Sequence, residues 1–226
     1  MIRLKLNTGG LRCPCPPLVL LLLLVAVMKL TYHSRIVRRE SRQAAELVAR
    51  HLPPGARVLD VGCGEGYVAA ELGTRGAIVD LVDIVDVRRV RDLPFQLFDG
   101  LNLPFPDGSF DVVMLNFVLH HVPDDDKPHL LREAARVSRD KVFILEDTPE
   151  NAFDRLMNRR HGEHYRSKIG SRAPFGFLTR GEWHWLFTGL GLALRDSRPL
   201  SRFCRAPWQP FARSAFLLQV RAACAL

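Results

Sequence analysis

Three glycines and two acids in one stretch of the chain have the types and spacing to cradle a ligand. Gly62, Gly64 and Gly66 alternate in GCGEG, directly after the apolar run RVLDV (Arg57–Val61) and directly before a helix predicted over Tyr67–Leu72. A glycine loop lets the backbone turn sharply and a ligand come close, and the helix behind it presents free N–H groups. Asp60 stands just before the loop, and Asp83 lies 21 residues past Gly62. At the end of a second strand, predicted over Ala77–Val82, a carboxylate can accept both hydroxyls of a ribose. Nicotinamide and flavin enzymes use glycine loops too, but their fingerprint needs a third glycine where Tyr67 stands, and Glu65 would repel a pyrophosphate. Asp60 suits a cationic amino group better than a phosphate. The expected ligand carries a ribose and a positive charge but no phosphate.

The elements that must hold these residues alternate between strand and helix. An Arg-rich amphipathic helix over Ser34–His51 is broken by Pro53, Pro54 and Gly55 before the first strand. Further strands are predicted over Asp111–Leu115 and Lys141–Glu146, with a helix over Lys127–Arg139 between them. Leu192–Asp196 and Ala215–Val220 are expected to close the sheet as antiparallel strands. This order predicts an α/β fold, a Rossmann-like doubly wound sheet that is mostly parallel with an antiparallel last strand.

The blocks VLDVGCGEG, LVDI and FQLFDGLNLPFPDGSFDVVMLNFVLHHV resemble the successive motifs of class I S-adenosylmethionine-dependent methyltransferases of the small-molecule kind often labelled type 11. The resemblance runs from about Arg57 to Leu194, and the third block is the most specific. It implies S-adenosyl-L-methionine as cofactor. Asp60, Gly62, Cys63 and Gly64, with Gly66 closing the loop, would hold its methionine portion, Asp83 the ribose, and Ile84 would pack on the adenine. Asp99, beside Gly100, matches the acid that contacts the adenine amino group, although an acid in front of a glycine also reads as a turn residue. Asn116 would face the methionine moiety or the reacting centre. Only fifteen residues separate Asp83 from Asp99, which leaves little room for the usual helix and third strand, so a trimmed sheet edge is expected there.

Methyl transfer from a sulfonium is an in-line displacement, so alignment and exclusion of water come first and a base is optional. Where the acceptor is a hydroxyl or thiol, a neutral imidazole could take its proton, and His120 and His121 are the candidates. In this family the paired histidine often serves packing instead. Residues 147–177 are too polar and interrupted for core and follow a strand at the ligand-binding edge. They are expected to form a lid over the acceptor, with Arg159, Arg160, His161, His164 and Tyr165 as polar contacts; an exposed helix touching no substrate is the alternative.

The formal charge of +8 is unevenly spread, with an acidic centre between two basic flanks. Residues 1–30 form a basic and apolar segment ahead of the domain at 31–226. Its run Leu18–Met28, LVLLLLLVAVM, spans only ~16 Å as a helix against a hydrocarbon core of ~30 Å. It is read as a short cytoplasmic-facing membrane anchor over 18–30, the alternative being a true start at Met28. The five cysteines show no two-residue spacing, so no metal is expected and a reducing compartment is favoured. The expected activity is methylation of a small-molecule or lipid-like acceptor; the alternative is an inactive, membrane-associated cofactor-binding protein. Nucleic acid is not expected as partner, because NFVL (Asn116–Leu119) stands where amino-methylating nucleic-acid enzymes carry an aromatic-proline tetrapeptide.

Overall fold

Along the fourth strand, Val113 and Leu115 turn to one side while Val112 and Met114 turn to the other, and all four are fully buried. Side chains alternate across a strand, so a strand apolar at every position needs cover on both faces. The computed structural model supplies it; residues 35–169, 176–200 and 212–220 are described. The expectations for residues 1–30, including the run Leu18–Met28, therefore lie outside the described residues, as do the side chains of His161, His164 and Tyr165.

Contacts divide the chain into Met1–Val37 and Arg38–Leu226, and the second unit carries the fold. Its seven strands are β1 (Arg57–Val61), β2 (Ile78–Asp83), β3 (Phe95–Leu97), β4 (Phe110–Asn116), β5 (Ser138–Asp147), β6 (Ala193–Leu200) and β7 (Arg213–Gln219). They form one sheet in the order β3-β2-β1-β4-β5-β7-β6. β1 to β5 run parallel, and β7 is antiparallel to both β5 and β6. One face is covered by the helix α1 over residues 35–49 and by α2 (Tyr67–Gly73), through Ala44, Ala45, Val48, Ala69 and Leu72. The other is covered by α3 (Lys127–Val137) and α5 (Arg180–Gly189), through Leu130, Leu131, Ala134, Trp183 and Phe187. Thr179 and Glu182 cap α5 reciprocally, each side chain accepting the other's backbone N–H.

The doubly wound sheet stands as expected, with differences in detail. α3 ends at Val137, and Ser138 already has extended backbone, so β5 begins earlier than the sequence suggests. At the trimmed edge no helix forms between Asp83 and Phe95, while β3 survives as three residues paired with Leu81–Asp83. The loop that replaces the helix is tied down by Arg88. Its guanidinium bonds Asp86 and the Leu93 carbonyl and lies 3.9 Å over the Phe95 ring.

The reading of residues 147–177 as too polar for core fails in part. Ala152–Ile169 is one helix, α4, and Asp154 and Asn158, one turn apart, are buried at 0% and 1% exposure. Polarity hid this face because a side chain can be buried when its polar atoms meet partners or a ligand.

Candidate cofactor and acceptor site

β1 delivers Asp60 to the point where the chain leaves the sheet. The loop then folds back on β2, with the N–H groups of Gly62 and Cys63 donating to the Val82 carbonyl at 2.8 and 3.2 Å. Gly62 and Gly64 both have positive φ, 69° and 53°, which L side chains rarely adopt. Their surroundings differ. A Cβ on Gly62 would lie 2.5 Å from Cγ2 of Val118, whereas one on Gly64 would meet nothing within 4 Å. Gly62 is thus pressed against the protein and Gly64 faces open space.

Asp83 ties this loop to the end of β2. Its carboxylate accepts the Gly64 N–H at 2.8 Å and the Ile84 N–H at 2.7 Å. Oxygens so oriented keep lone pairs for further donors. Asp60, 2% exposed, receives no hydrogen bond from any described residue. Its pKa is raised well above the carboxyl range, first by burial and then by the neighbouring Asp83 charge. Burial likewise raises the Cys63 thiol, with the Asp60 and Asp83 charges acting in the same direction, which disfavours the thiolate.

Across the loop, Asn116 ends β4 with both amide atoms buried and without a partner among the described residues. Such a group normally meets a partner, protein or ligand. The next residue, Phe117, is the one non-glycine of positive φ among the described residues, at 59°. Its N–H bonds the Leu145 carbonyl at 2.7 Å, and the Arg213 guanidinium lies 4.1 Å over its ring. Strained backbone of this kind costs ~1–3 kcal/mol and gathers at functional sites. Nothing in the sequence signals it.

Toward β3, Ile84 is 63% exposed, and its Cγ2 lies 3.2 Å from where a Gly100 Cβ would be. Asp99 is engaged as a turn acid. Oδ1 accepts the N–H groups of Leu101 and Asn102, and Oδ2 accepts the Asn102 amide. The Asn102 side chain, followed by the two backbone donors, holds its pKa down at about 2. The turn alternative weighed from the sequence is thus what the free protein displays. Glu65 is less repulsive than expected, because Arg89 pairs with it at 3.2 Å and the N–H groups of Arg89 and Val90 cap its carbonyl. The displaced third glycine remains the stronger argument against a dinucleotide.

His120 and His121 follow β4 on a short 3-10 turn, Leu119–His121, with ring centroids 4.1 Å apart. Glu146, fully buried at the end of β5, holds this turn. One oxygen accepts the Leu119 N–H at 2.7 Å, and the other meets His120 Nδ1 at 2.6 Å. Burial disfavours the charged imidazole, but the Glu146 carboxylate outweighs it and the His120 pKa is raised. The raised pKa favours the charged ring, whereas the base expected from the sequence is a neutral imidazole. Phe177 stacks on His120 with centroids 5.0 Å apart, and the Gly176 N–H donates to the His120 carbonyl at 3.1 Å. The far end of the 147–177 segment is thereby fastened beside the turn. Arg159 is exposed on α4, where Asn158 has both amide atoms buried and without a partner among the described residues.

The buried acid without a donor, the open face of Gly64 and the orphaned Asn116 amide fit a ligand with a cationic amine and a ribose. The profile of the methyltransferase domain family matches residues 35–197. The chain belongs to this family, of the class I S-adenosylmethionine-dependent kind. Among curated relatives of the family, the 27-O-demethylrifamycin SV methyltransferase of Amycolatopsis mediterranei is 39% identical over 101 residues, covering 39% of this chain and 36% of the relative. The demethylmenaquinone methyltransferase of Corynebacterium urealyticum is 35% identical over 109 residues, covering 46% and 44%. The chain thus spans well under two thirds of these relatives' lengths. The magnesium protoporphyrin IX methyltransferase of Synechocystis, solved with bound S-adenosylhomocysteine, shares the fold. Its TM-score is 0.58 at 18% identity, covering 81% of this chain and 83% of that one.

Proposed function

We propose that this protein is an S-adenosylmethionine-dependent methyltransferase acting on a small-molecule or lipid-like acceptor. The observation that carries the reading is the buried carboxyl of Asp60 beside the glycine loop with no donor among the described residues, matched across the loop by the Asn116 amide, which likewise has no partner among them. When bound, the cofactor supplies an electrophilic methyl group on a sulfonium. Asp60 and Asn116, with the loop Gly62–Gly66, would hold its methionine portion. Asp83 would accept the ribose hydroxyls, and Ile84 with Asp99 and Gly100 would border the adenine. The helix α4, with Asn158 facing inward and Arg159, His161, His164 and Tyr165 along it, would cover the acceptor and exclude water. His120 would position the turn after β4 through Glu146, which leaves His121 as the candidate to take an acceptor proton.

The decisive experiment pairs two measurements. S-adenosylhomocysteine, but not NAD, should raise the melting temperature, since a ligand that binds only the folded state stabilises it. Labelled methyl should then pass to an acceptor in a panel that begins with the acceptors of the two relatives, demethylmenaquinone and 27-O-demethylrifamycin SV. Stabilisation by NAD would overturn the reading; cofactor binding without transfer to any acceptor would favour the inactive alternative, against which the complete loop and acids stand.

Within the same reading, Leu18–Met28 acts as a membrane anchor. No helix among the described residues is long and apolar enough to cross a membrane. The anchor predicts that the full chain sediments with membranes and resists a high-salt wash, because apolar burial is insensitive to ionic strength while charge adhesion is screened. Recovery of the untagged chain wholly in the soluble fraction would remove it.

A further inference from the structure

The residues that replace the missing helix do more than close the sheet edge. Arg89, from that loop, joins Arg38 and Arg42 of α1 around a recess of about 230 Å³ whose floor includes Tyr67 and Glu71 of α2. Two of the three guanidiniums are partly neutralised: Arg89 by Glu65 at 3.2 Å, and Arg42 by Glu71 at 3.6 Å. Glu71 is itself shared, since Arg75 bonds it at 2.9 Å. Arg38 has no carboxylate partner among the described residues and lies 4.6 Å over the Tyr67 ring. The recess therefore keeps excess positive charge on donors suited to phosphate oxygens.

The recess also has apolar neighbours in the chain. Val85 and Val87, on the loop that bears Arg89, are large hydrophobics left exposed. Ten residues before Arg38, the sequence closes the apolar run Leu18–Met28. Cations close in sequence to exposed apolar side chains match the two layers of a bilayer interface, the headgroups and the upper acyl chains. A nucleic acid would need a continuous basic track, and Glu65, Glu71 and Asp86 interrupt this one. We propose that the Arg38, Arg42 and Arg89 recess binds the phosphate of an anionic lipid headgroup and seats this face of the domain on the membrane surface. The recess borders the cofactor loop through the Arg89–Glu65 pair, whereas Arg38 and Arg42 meet Tyr67 and Glu71 of α2, and binding there does not depend on catalysis.

The test uses the full chain and vesicles of phosphatidylcholine alone or mixed with phosphatidylglycerol. Binding to phosphatidylcholine alone reads the apolar run; the difference between the two vesicles reads the recess. Arg38→Gln with Arg42→Gln should weaken binding to the mixed vesicles by about fivefold for each arginine removed. It should leave binding to phosphatidylcholine and the melting shift with S-adenosylhomocysteine unchanged. High salt should abolish the difference in the wild type as well. Should the double substitution lose cooperative melting, Arg38→Gln alone, which breaks no ion pair with a described residue, carries the same expectation. A variant that keeps the wild-type preference for phosphatidylglycerol overturns the proposal. So does a wild type with no such preference that instead binds a single-stranded oligonucleotide through the same arginines.

Discussion

Glu146 grips two successive residues at once, the Leu119 N–H at 2.7 Å with one oxygen and His120 Nδ1 at 2.6 Å with the other. The strand β5 thereby fixes the turn that follows β4, 26 residues away in sequence. Because the folded-state pKa of His120 lies above its ordinary 6.5, the stability from this pair is complete below pH 6.5 and is lost as the pH rises through the raised value. Glu146→Ala removes the carboxylate that most favours the charged form of this buried imidazole and should cost ~3–5 kcal/mol under acidic conditions. Urea unfolding at a pH below 6.5 and again well above the raised value should show that cost shrinking. Equal destabilisation at both would mean the pair is not ionised.

Asp60 predicts a proton release. Its raised pKa keeps the carboxyl protonated in the free protein at pH values between the ordinary carboxyl range and the raised one, and a cationic amine would expel that proton. The calorimetric heat of S-adenosylhomocysteine binding should therefore vary with the ionisation enthalpy of the buffer in this window. Asp60→Asn should erase the variation and weaken binding by roughly ten- to a hundredfold, the equivalent of ~1.5–3 kcal/mol. A heat independent of buffer would place the ligand's amine elsewhere.

Gly62 and Gly64 should fail for different reasons. Gly62→Ala drives a methyl against Val118 and should lower the melting temperature, with Val118→Ala recovering the steric part in the double variant. Gly64→Val meets open space, so beyond the ~1–2 kcal/mol of its left-handed backbone it should chiefly block the ligand. Normal S-adenosylhomocysteine binding by Gly64→Val would show that this loop does not hold the cofactor.

Asp83→Ala should reduce cofactor affinity, at ~1.5–3 kcal/mol for each charged hydrogen bond lost to the ribose. Since the carboxylate also accepts the Gly64 N–H, the loop should loosen as well, seen as faster amide exchange at Gly64. Asp83→Asn keeps an acceptor oxygen and should spare much of the loop order while still weakening binding. Unchanged affinity in both variants would take Asp83 out of the site.

What the sequence disclosed and what it hid divide along the range of the interactions. β1 was legible to the residue because an apolar run stood between Gly55 and Gly62, and the parallel order followed from helices and strands alternating in turn. The trimmed edge was legible as a short count between Asp83 and Asp99, but not that Arg88 and Arg89 would fasten the loop. Glu146 looked like the polar end of KVFILE; its work depends on a histidine brought beside it by strand pairing. The burial of Asp154 and Asn158 was not legible, because a segment this polar reads as a lid outside the core. The left-handed Phe117 is imposed by the tertiary contacts on either side of it and has no local signature.

β7 comes after β6 in the chain yet lies inside it in the sheet, between β5 and β6. On a ribosome this means that one long side of β5 waits, exposed, until Arg213–Gln219 has been made. The waiting side ends beside the histidine turn: Arg213 reaches Asp147 at 3.0 Å, and the Ser214 hydroxyl meets that of Thr148 at 2.8 Å. A nascent chain therefore has an unfinished sheet for most of its synthesis, with its glycine loop built early and β7 built last among the described strands. Translation that stalls before residue 213 leaves a sticky strand edge, a species for chaperones and proteases to clear.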